Sequence, residues 1–400
     1  MNYAAFRALL TPQGQRALAM ASALHPTEES YLSHFQALCR QFEPALAQAA
    51  LETAILRRRA KSKTPFADCL YFTREALEQA SHWELARYRA ERMKMFEYIF
   101  DLGCSIGGDT LAFAQHCFTV GIDRDLLRLR MAQANAQTMS VGERVCLIRA
   151  DLTQPLPFWG KRGYWAAFFD PARRAEGRRR FHVESYAPPL STLRHWQPFL
   201  PHLAVKLSPA VALSEVVPYQ GEVEFISFKG DLKEAVLWLG DLRSCSRRAT
   251  LLPAGVSLTD GNQVLQEYLP LSPPAAYLYE PDPAVLRAGL VQNLARMINA
   301  AQMDDEIAYL TAEHAFQTPF ARLWKIESWF PFQLKRLRTY LRQQRVGKVT
   351  IKKRGSPLQP EALRQSLRLR GDQERVLFLT HLRGEPIVVI ALPSAEDTPQ

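Results

Sequence analysis

The sequence of 400 residues predicts an α/β fold in which helices cover both faces of a mostly parallel sheet. Residues 98–242 contain short apolar runs that each end at a polar or turn-forming residue, and helical patterns separate several of them. The first run is followed by a cluster of glycines that opens a helix, and the next three end in aspartates. Together these observations indicate parallel strands whose carboxyl ends share one edge of a sheet.

Residues 1–97 are predicted to form a helical region. Segments such as PALAQAALETAILRRRAK have apolar residues three or four positions apart, with good helix formers between them. Ser81 is followed three positions later by Glu84, which is a capping-box pattern and predicts that the last helix of the region begins there.

Residues 98–268 are predicted to form the domain that contains the parallel sheet. Its expected parallel strands are FEYIFDLG, FTVGIDRD, VCLIRADL, YWAAFFDP and LAVKLSP. Two more runs, VEFISF and EAVLWLG, are joined by KGDLK, which is too short for a parallel crossover. We therefore expect these two runs to form an antiparallel pair at one edge of the sheet.

A proline-rich linker is predicted at residues 269–282, followed by a basic domain at residues 283–393 that ends in the apolar strands RVLFLTHL and PIVVIALP. The net charge of the chain is +10, and residues 321–375 alone contain fifteen Lys or Arg against four Asp or Glu. Basic residues interleaved with aromatics are typical of a nucleic-acid surface, although a basic helix with inward aromatics has the same pattern. The candidates are Lys335, Arg336, Lys352, Lys353 and Arg354.

Several classes of protein are excluded by composition. The six cysteines are scattered without CxxC spacing, so neither a structural zinc site nor a disulfide framework is expected, and no metal site is predicted. No apolar run approaches the roughly 20 residues that span a bilayer. The N-terminus lacks the pattern of a signal peptide, and we expect a cytoplasmic protein.

The glycine cluster DLGCSIGG lies where a parallel sheet binds ligands. Asp123, Asp151 and Asp170 end the next three strands and are expected to converge on the same crevice, although each alone is compatible with a helix cap. A phosphate-binding loop would require a GKS or GKT sequence, which is absent. Asp101 directly precedes the glycines and would repel a pyrophosphate, so a cationic cofactor such as S-adenosylmethionine is favoured over a dinucleotide.

The segments DLGCSIGGDTLAFA, GIDRD, RADL and FFDPARR resemble successive motifs of class I methyltransferases, and GGDTLAFA resembles the trimethylguanosine synthase group of RNA methyltransferases. The chain as a whole resembles bacterial methyltransferases with a C-terminal THUMP-like domain, on segments that include FTREALEQAS, AVKLSP, KGDLKEAVLWLG and TPFARLWKI. The resemblance implies a Rossmann-like sheet of seven strands, S-adenosylmethionine as cofactor and an RNA partner. It also implies an α+β fold for the C-terminal domain.

The resemblance assigns cofactor contacts residue by residue. It implies that Asp101, Gly103 and Gly107 shape the methionine pocket, that Asp123 holds the ribose hydroxyls and that Asp151 lies beside the adenine amino group. Ser105 stands where these proteins usually have a second glycine.

The segment DPAR resembles the tetrapeptide of enzymes that methylate amines, which usually reads Asp or Asn, Pro, Pro, aromatic. Asp170 and Pro171 match this pattern, whereas Ala172 and Arg173 replace the second proline and the aromatic. The candidate catalytic residues are Asp170, Pro171 and Arg173, with the guanidinium plane of Arg173 available for stacking on a base. The arginines that follow are candidate phosphate contacts, namely Arg174, Arg178, Arg179 and Arg180.

These observations predict an S-adenosylmethionine-dependent methyltransferase that acts on an exocyclic amine of a base in structured RNA. Two alternatives stay open at this point. One is a noncatalytic RNA-binding or scaffold protein that retains the fold, and the other is a methyltransferase with a non-RNA acceptor.

Overall fold

The computed structural model describes residues 1–154, 164–172, 174–175, 178–179, 182–261 and 270–394. The chain folds as two compact units, Met1–Glu222 with Ala235–Ser244 and Val223–Glu234 with Cys245–Gln400. The domain boundaries inferred from the sequence stay predictions, because residues 262–269 lie outside the described part of the chain. No helix in the described ranges has the length and apolar character that crossing a membrane requires.

Six helices precede the first strand, as predicted: α1 (Tyr3–Leu9), α2 (Pro12–Ala23), α3 (Tyr31–Leu38), α4 (Pro44–Ala60), α5 (Arg74–Gln79) and α6 (Trp83–Met93). The predicted capping box at Ser81 was wrong. The Nδ1 atom of His82 caps α6 by accepting the backbone N–H of Glu84 at 3.2 Å. The hydroxyl of Ser81 is instead engaged by Nζ of Lys206 at 2.9 Å.

The first unit contains the parallel part of the larger sheet. Its strands are β1 (Tyr98–Leu102), β2 (Phe118–Asp123), β3 (Val145–Arg149), β4 (Trp165–Phe169), β5 (Arg174–Ala175), β6 (Arg178–Arg179) and β7 (Leu203–Leu207), and its further helices are α7 (Gly108–Phe113), α8 (Leu126–Thr138), α9 (Leu193–Trp196) and α10 (Leu213–Val216). Strands β3, β2, β1, β4 and β7 pair in this order, all parallel, whereas β5 and β6 form a separate short ribbon.

A hairpin of β8 (Glu222–Phe228) and β9 (Asp231–Trp238) has residues in both units. In the first unit β9 pairs antiparallel with β7. In the second unit β8 is followed by β10 (Arg247–Leu252), which is parallel to it, and then by the antiparallel β11 (Val256–Thr259).

Two details of the expected sheet were wrong. The sheet has nine strands among the described residues and not seven, and the β8 and β9 pair is internal and not at an edge. Every residue of β8 is buried, so this strand requires a hydrogen-bonded neighbour on both sides, and β10 supplies the second one.

The second unit also contains a mixed sheet of seven strands with helices, which confirms the predicted α+β class. Its helices are α11 (Pro283–Ala288), α12 (Val291–Met297), α13 (Leu334–Gln343) and α14 (Pro360–Leu367), and its strands are β12 (Tyr277–Pro281), β13 (Ala301–Gln302), β14 (Leu310–Ala312), β15 (Ala321–Pro331), β16 (Val346–Lys353), β17 (Gln373–Leu382) and β18 (Glu385–Ala391). The strand order is β13, β14, β12, β15, β18, β17, β16. Alternate residues of β17 and β18 enter two separate apolar clusters, one of which contains the buried leucines of α13 and α14.

Asn135 of α8 joins the N-terminal helical region to the glycine cluster. Its side chain accepts the backbone N–H of Tyr71 at 2.7 Å and donates to the carbonyl oxygens of Tyr71 and Ile106, each at 3.1 Å. The residue is 1% exposed, so water does not replace these bonds. Around it, apolar residues of α1, α2 and α4 share one core with residues of α7 and α8.

We expect Asn135→Ala to destabilise the first unit by about 2–4 kcal/mol, because three buried backbone groups lose their partner. The urea midpoint for unfolding of the full chain measures the effect. Gln133→Ala, an exposed position on the same helix, is the control and is expected to stay within about 0.5 kcal/mol of the unmodified protein. Equal midpoints for the two variants would contradict the role assigned to Asn135.

Candidate active site

The strand register aligns the predicted site residues at the carboxyl edge of the sheet. Leu102 pairs with Ile122 of β2 and with Phe169 of β4, so the residues that follow, Gly103, Asp123 and Asp170, lie at the same level on three neighbouring strands. The chain proceeds from β1 to β2 on one side, whereas β4 lies on the other side. This is the switch point at which open α/β sheets bind ligands.

The glycine loop between β1 and α7 requires residues without a bulky side chain. Gly103 and Gly107 have φ values of +91° and +87°, which favour glycine. A Cβ atom added at Gly103 would lie 3.3 Å from the carbonyl oxygen of Asp170, and one at Gly107 would lie 3.2 Å from Cβ of Ala132. One added at Gly108 has no atom within 4 Å, so bare backbone faces open space at the start of α7.

Ser105 adopts the left-handed conformation that glycine would adopt more easily, with φ of +51°. This backbone conformation costs a non-glycine residue roughly 1–2 kcal/mol. The backbone N–H of Ser105 donates to Oδ2 of Asp123 at 2.9 Å, and the N–H of Asp125 donates to Oδ1 at the same distance. Both carboxylate oxygens of Asp123 are therefore held by the backbone, which fixes their orientation at the end of β2.

Asp101 is a carboxyl group buried beneath the glycine loop, with 1% exposure. Burial and the charge of Asp109 raise the pKa of Asp101 to about 8, and Asp170 adds to this effect, whereas the hydrogen bond from the hydroxyl of Thr110 opposes it. Asp109 is itself paired with the fully buried Arg89 at 2.6 Å. A cation next to Asp101 would favour the ionised form, because opposite charge offsets the cost of burial.

Asp151 follows β3, and Asp123 ends the neighbouring strand β2. The N–H of Ala150 donates to the carbonyl oxygen of Asp123 at 3.1 Å, which places the next residue at the rim of the same edge. Asp151 is exposed, and hydrogen bonds from the backbone and side chain of Thr153 lower the pKa of its carboxyl group. Its carboxylate is therefore a hydrogen-bond acceptor at the surface.

Asp170 and Pro171 follow β4. Oδ2 of Asp170 accepts from Nζ of Lys206 at 2.7 Å, and Pro171 is buried. Ala172 exchanges two backbone hydrogen bonds with Ala187, at 3.0 and 3.1 Å, which ties the DPAR segment to the chain that precedes α9. Arg173 and Arg180 lie outside the described residues, and of Arg174, Arg178 and Arg179 only the backbone of β5 and β6 is described.

The basic residues of the second unit differ in their environment. Lys352 and Arg354 pair with Glu280 at 2.5 and 3.7 Å, and the guanidinium of Arg336 lies 4.4 Å from the ring centre of Phe330. Lys335 and Lys353 are exposed.

Lys206 is not among the residues that the sequence predicted for the site. This residue is 4% exposed at the fourth position of β7, and it contacts both Ser81 and Asp170. The signal was present, since LAVKLSP contains one lysine within an apolar strand, and a buried charge requires a partner. No such signal marked Ser81, whose pattern was that of a helix cap.

The arrangement fits a ligand that carries positive charge next to vicinal hydroxyl groups. A buried acid, a glycine loop with open backbone and the fixed carboxylate of Asp123 follow one another along the sheet edge. Within the described residues, no group of three or more His, Cys, Asp or Glu side chains has the geometry of a metal site.

Three family models match the chain. The model described as RNA cap guanine-N2 methyltransferase matches residues 96–191, which include the glycine loop, Asp123, Asp151 and Asp170. A model described as THUMP domain-like matches residues 321–393, and a domain of unknown function matches residues 2–60.

Two relatives from strains of Mycobacterium tuberculosis are named as uncharacterized S-adenosylmethionine-dependent methyltransferases. Each is 33% identical over 348 residues, which are 83% of this chain and 92% of the relative. The crystal structure of a proposed methyltransferase from Porphyromonas gingivalis W83 has the same fold, with a TM-score of 0.75 over 95% of this chain and 98% of its own, at 19% identity.

We expect Asp101→Asn to stabilise the first unit at alkaline pH and to weaken cofactor binding. The folded-state pKa of about 8 lies above the unfolded value of about 4, so stability is lost as pH rises between these values, and the asparagine variant escapes this loss. The variant also lacks the charge that offsets a cation, and we expect its affinity for S-adenosylmethionine to fall at least about tenfold.

Thermal melting at pH 5 and pH 8 and calorimetric titration with S-adenosylmethionine measure the two effects. The gain in melting temperature over the unmodified protein should be larger at pH 8. The same gain at both pH values would contradict the raised pKa of Asp101. Unchanged affinity for S-adenosylmethionine would show that the charge of Asp101 does not support cofactor binding.

Proposed function

The chain belongs to the S-adenosylmethionine-dependent methyltransferases, and from this premise we propose that it transfers the methyl group to an exocyclic amine of a base in structured RNA. The position of Asp170 carries this proposal, because the residue follows β4 level with Gly103 on the neighbouring strand, and its backbone carbonyl oxygen lies 3.3 Å from the place of a Cβ atom at Gly103. The family model for RNA guanine-N2 methylation, which covers this segment, supports an amine in RNA as the acceptor.

The residues of the site suit the cofactor of the family. Asp101 would face its positive charge, the backbone from Gly103 to Gly108 would lie along its methionine part, and Asp123 would accept hydrogen bonds from its ribose hydroxyls. Asp151 would lie near the adenine. When bound, S-adenosylmethionine supplies an electrophilic methyl group, and a nucleophile that attacks this carbon displaces S-adenosylhomocysteine from it.

Asp170 has the chemistry needed to present a neutral amine. An exocyclic amine has two hydrogens, and a carboxylate oxygen that accepts one of them turns the nitrogen lone pair away from itself. Placing this nucleophile at close range is the main task of the enzyme in a direct displacement. Because the chain belongs to an enzyme family, the noncatalytic alternative is set aside. A non-RNA acceptor stays as the alternative, and the experiments below distinguish it from RNA.

Exposed cations on the second unit supply a surface for RNA phosphates. On α13, Leu337 and Leu341 are buried whereas Lys335 and Arg342 are exposed. On α14, Arg364 is exposed, and the two helices are joined by a 2.7 Å hydrogen bond from Nε of Arg338 to the carbonyl oxygen of Ser366. Lys353, the last residue of β16, is also exposed. We call the exposed basic residues Lys335, Arg342, Lys353 and Arg364 the α13–α14 surface, after the two helices that contain three of them.

These four cations are available to a partner. No acidic side chain in the described residues forms an ion pair with them, and Nζ of Lys353 donates to Oε1 of Gln359 at 3.5 Å. Lys348 nearby is paired with Glu374 at 2.9 Å and is already neutralised. The THUMP domain-like model covers all four positions, which supports RNA as the partner.

We expect Asp170→Ala to lower methyl transfer by at least about a hundredfold while leaving the affinity for S-adenosylmethionine within about twofold. Alanine has no side-chain acceptor for the hydrogens of the amine, so the amine is misplaced. Incorporation of labelled methyl groups into total RNA from a strain that lacks the gene measures the rate, and calorimetry measures affinity. Parallel loss of both would place Asp170 in cofactor binding and not in catalysis.

The same labelling is carried out with the protein and small-molecule fractions of an extract from that strain. Label in those fractions and none in RNA would contradict an RNA acceptor but not the assignment as a methyltransferase.

We expect the combined change of Lys335, Arg342 and Arg364 to alanine to weaken RNA binding and to reduce the slope of log affinity against log salt by about 2, because fewer counterions are released. Filter binding of the same RNA between 50 and 200 mM salt measures the slope. Lys348→Ala is the matched control and is expected to leave the slope nearly unchanged. An unchanged slope in the triple variant would exclude the α13–α14 surface.

A further inference from the structure

Lys206 is a buried cation that the cofactor motifs do not include. Its side chain is 5% exposed, and every residue of β7 is buried. Nζ donates to Oδ2 of Asp170 at 2.7 Å and to the hydroxyl of Ser81 at 2.9 Å. It therefore joins the end of β4 to the segment between α5 and α6.

Stability alone does not account for a lysine at this position. Removing an ammonium group from water is costly, and the loss of one partner of an ion pair is strongly destabilising only where it leaves the other charge buried. The partner carboxylate is 27% exposed, so water could still solvate Asp170 if the lysine were absent. A methionine at position 206 would continue the apolar sequence of β7.

The geometry gives the two oxygens of Asp170 different roles. Oδ2 is held by Lys206, whereas no donor in the described part of the chain contacts Oδ1. The backbone N–H of Asp170 donates to the carbonyl oxygen of Leu102 at 3.3 Å, which fixes the residue next to the glycine loop. With the backbone and one carboxylate oxygen fixed, the direction of the other oxygen is also fixed.

We propose that Lys206 is a positioning residue for methyl transfer, which holds Oδ2 of Asp170 so that Oδ1 accepts a hydrogen bond from one N–H of the acceptor amine. Ser81 supports this role by accepting a second hydrogen bond from the ammonium group. The proposal rests on the proposed function, because it takes the acceptor to be an amine presented by Asp170.

The test compares Lys206→Met with Lys206→Arg in the full chain, and Lys61→Met, an exposed position, controls for loss of a lysine. We expect Lys206→Met to lower kcat about a hundredfold, since small misplacements of a reacting group have effects of this size. KM for RNA and the affinity for S-adenosylmethionine should be unchanged. The melting temperature should be unchanged or higher. Lys206→Arg retains a donor to Asp170 and should recover to within about tenfold of the unmodified rate.

A structural role would give a different result, in which the melting temperature falls and kcat is lost only in proportion to the folded fraction. That outcome, or an unchanged kcat in Lys206→Met, would overturn the proposal. Ser81→Ala should lower kcat by less than about tenfold, because the Asp170 contact persists.

Crystal structures of the unmodified protein and Lys206→Met with S-adenosylhomocysteine provide a measurement that does not depend on the acceptor. We expect the Asp170 carboxylate to turn away from its original orientation in the variant. An unchanged orientation would overturn the proposal. Absence of methyl transfer to RNA by the unmodified protein would instead count against the proposed function, and Lys206 would then be judged on these two structures.

Discussion

The balance of charge under the glycine loop is the constraint on which the site depends. Three acids lie near one another there, and two of them have a buried cation as partner: Asp109 pairs with Arg89, and Asp170 pairs with Lys206. Asp101 has the hydroxyl of Thr110 in place of a cation. Among the described residues, Asp101 therefore has no cationic side chain in an ion pair with it, and a positively charged cofactor beside it would favour its ionised form.

The fold and the order of the candidate site residues along the sheet edge could be predicted because they depend on local patterns. Short apolar runs specify the strands, and parallel strands necessarily bring their carboxyl ends to one edge, so the sequence predicts that Gly103, Asp123 and Asp170 lie near one another. Ser105 shows the limit of a motif, since its backbone adopts the left-handed conformation of the glycine it replaces. The requirement of the loop lies in the conformation of the chain and not in the residue type alone.

The contacts between distant segments could not be predicted in the same way. Ser81 and Lys206 are 125 positions apart, and the local pattern of Ser81 indicated a helix cap, a role that His82 fulfils. The prediction from the basic residues of the second unit was limited in the same way. Lys352 and Arg354 belong to the same charged run as Lys353, but Glu280, more than 70 positions earlier, neutralises two of the three. A run of charge in a sequence does not distinguish side chains that face solvent from side chains that are already paired.

The three hydrogen bonds of Asn135 have a consequence for the design of fragments. The methyltransferase model begins at residue 96, yet the glycine loop within it is held through Asn135 to the backbone of Tyr71, and the helices before Tyr71 complete the core against which α7 and α8 pack. A recombinant fragment that starts at the model boundary would retain every cofactor motif and lose the support for its central loop. The N-terminal helices therefore support the domain that contains the glycine loop, and a fragment intended to be active has to include them.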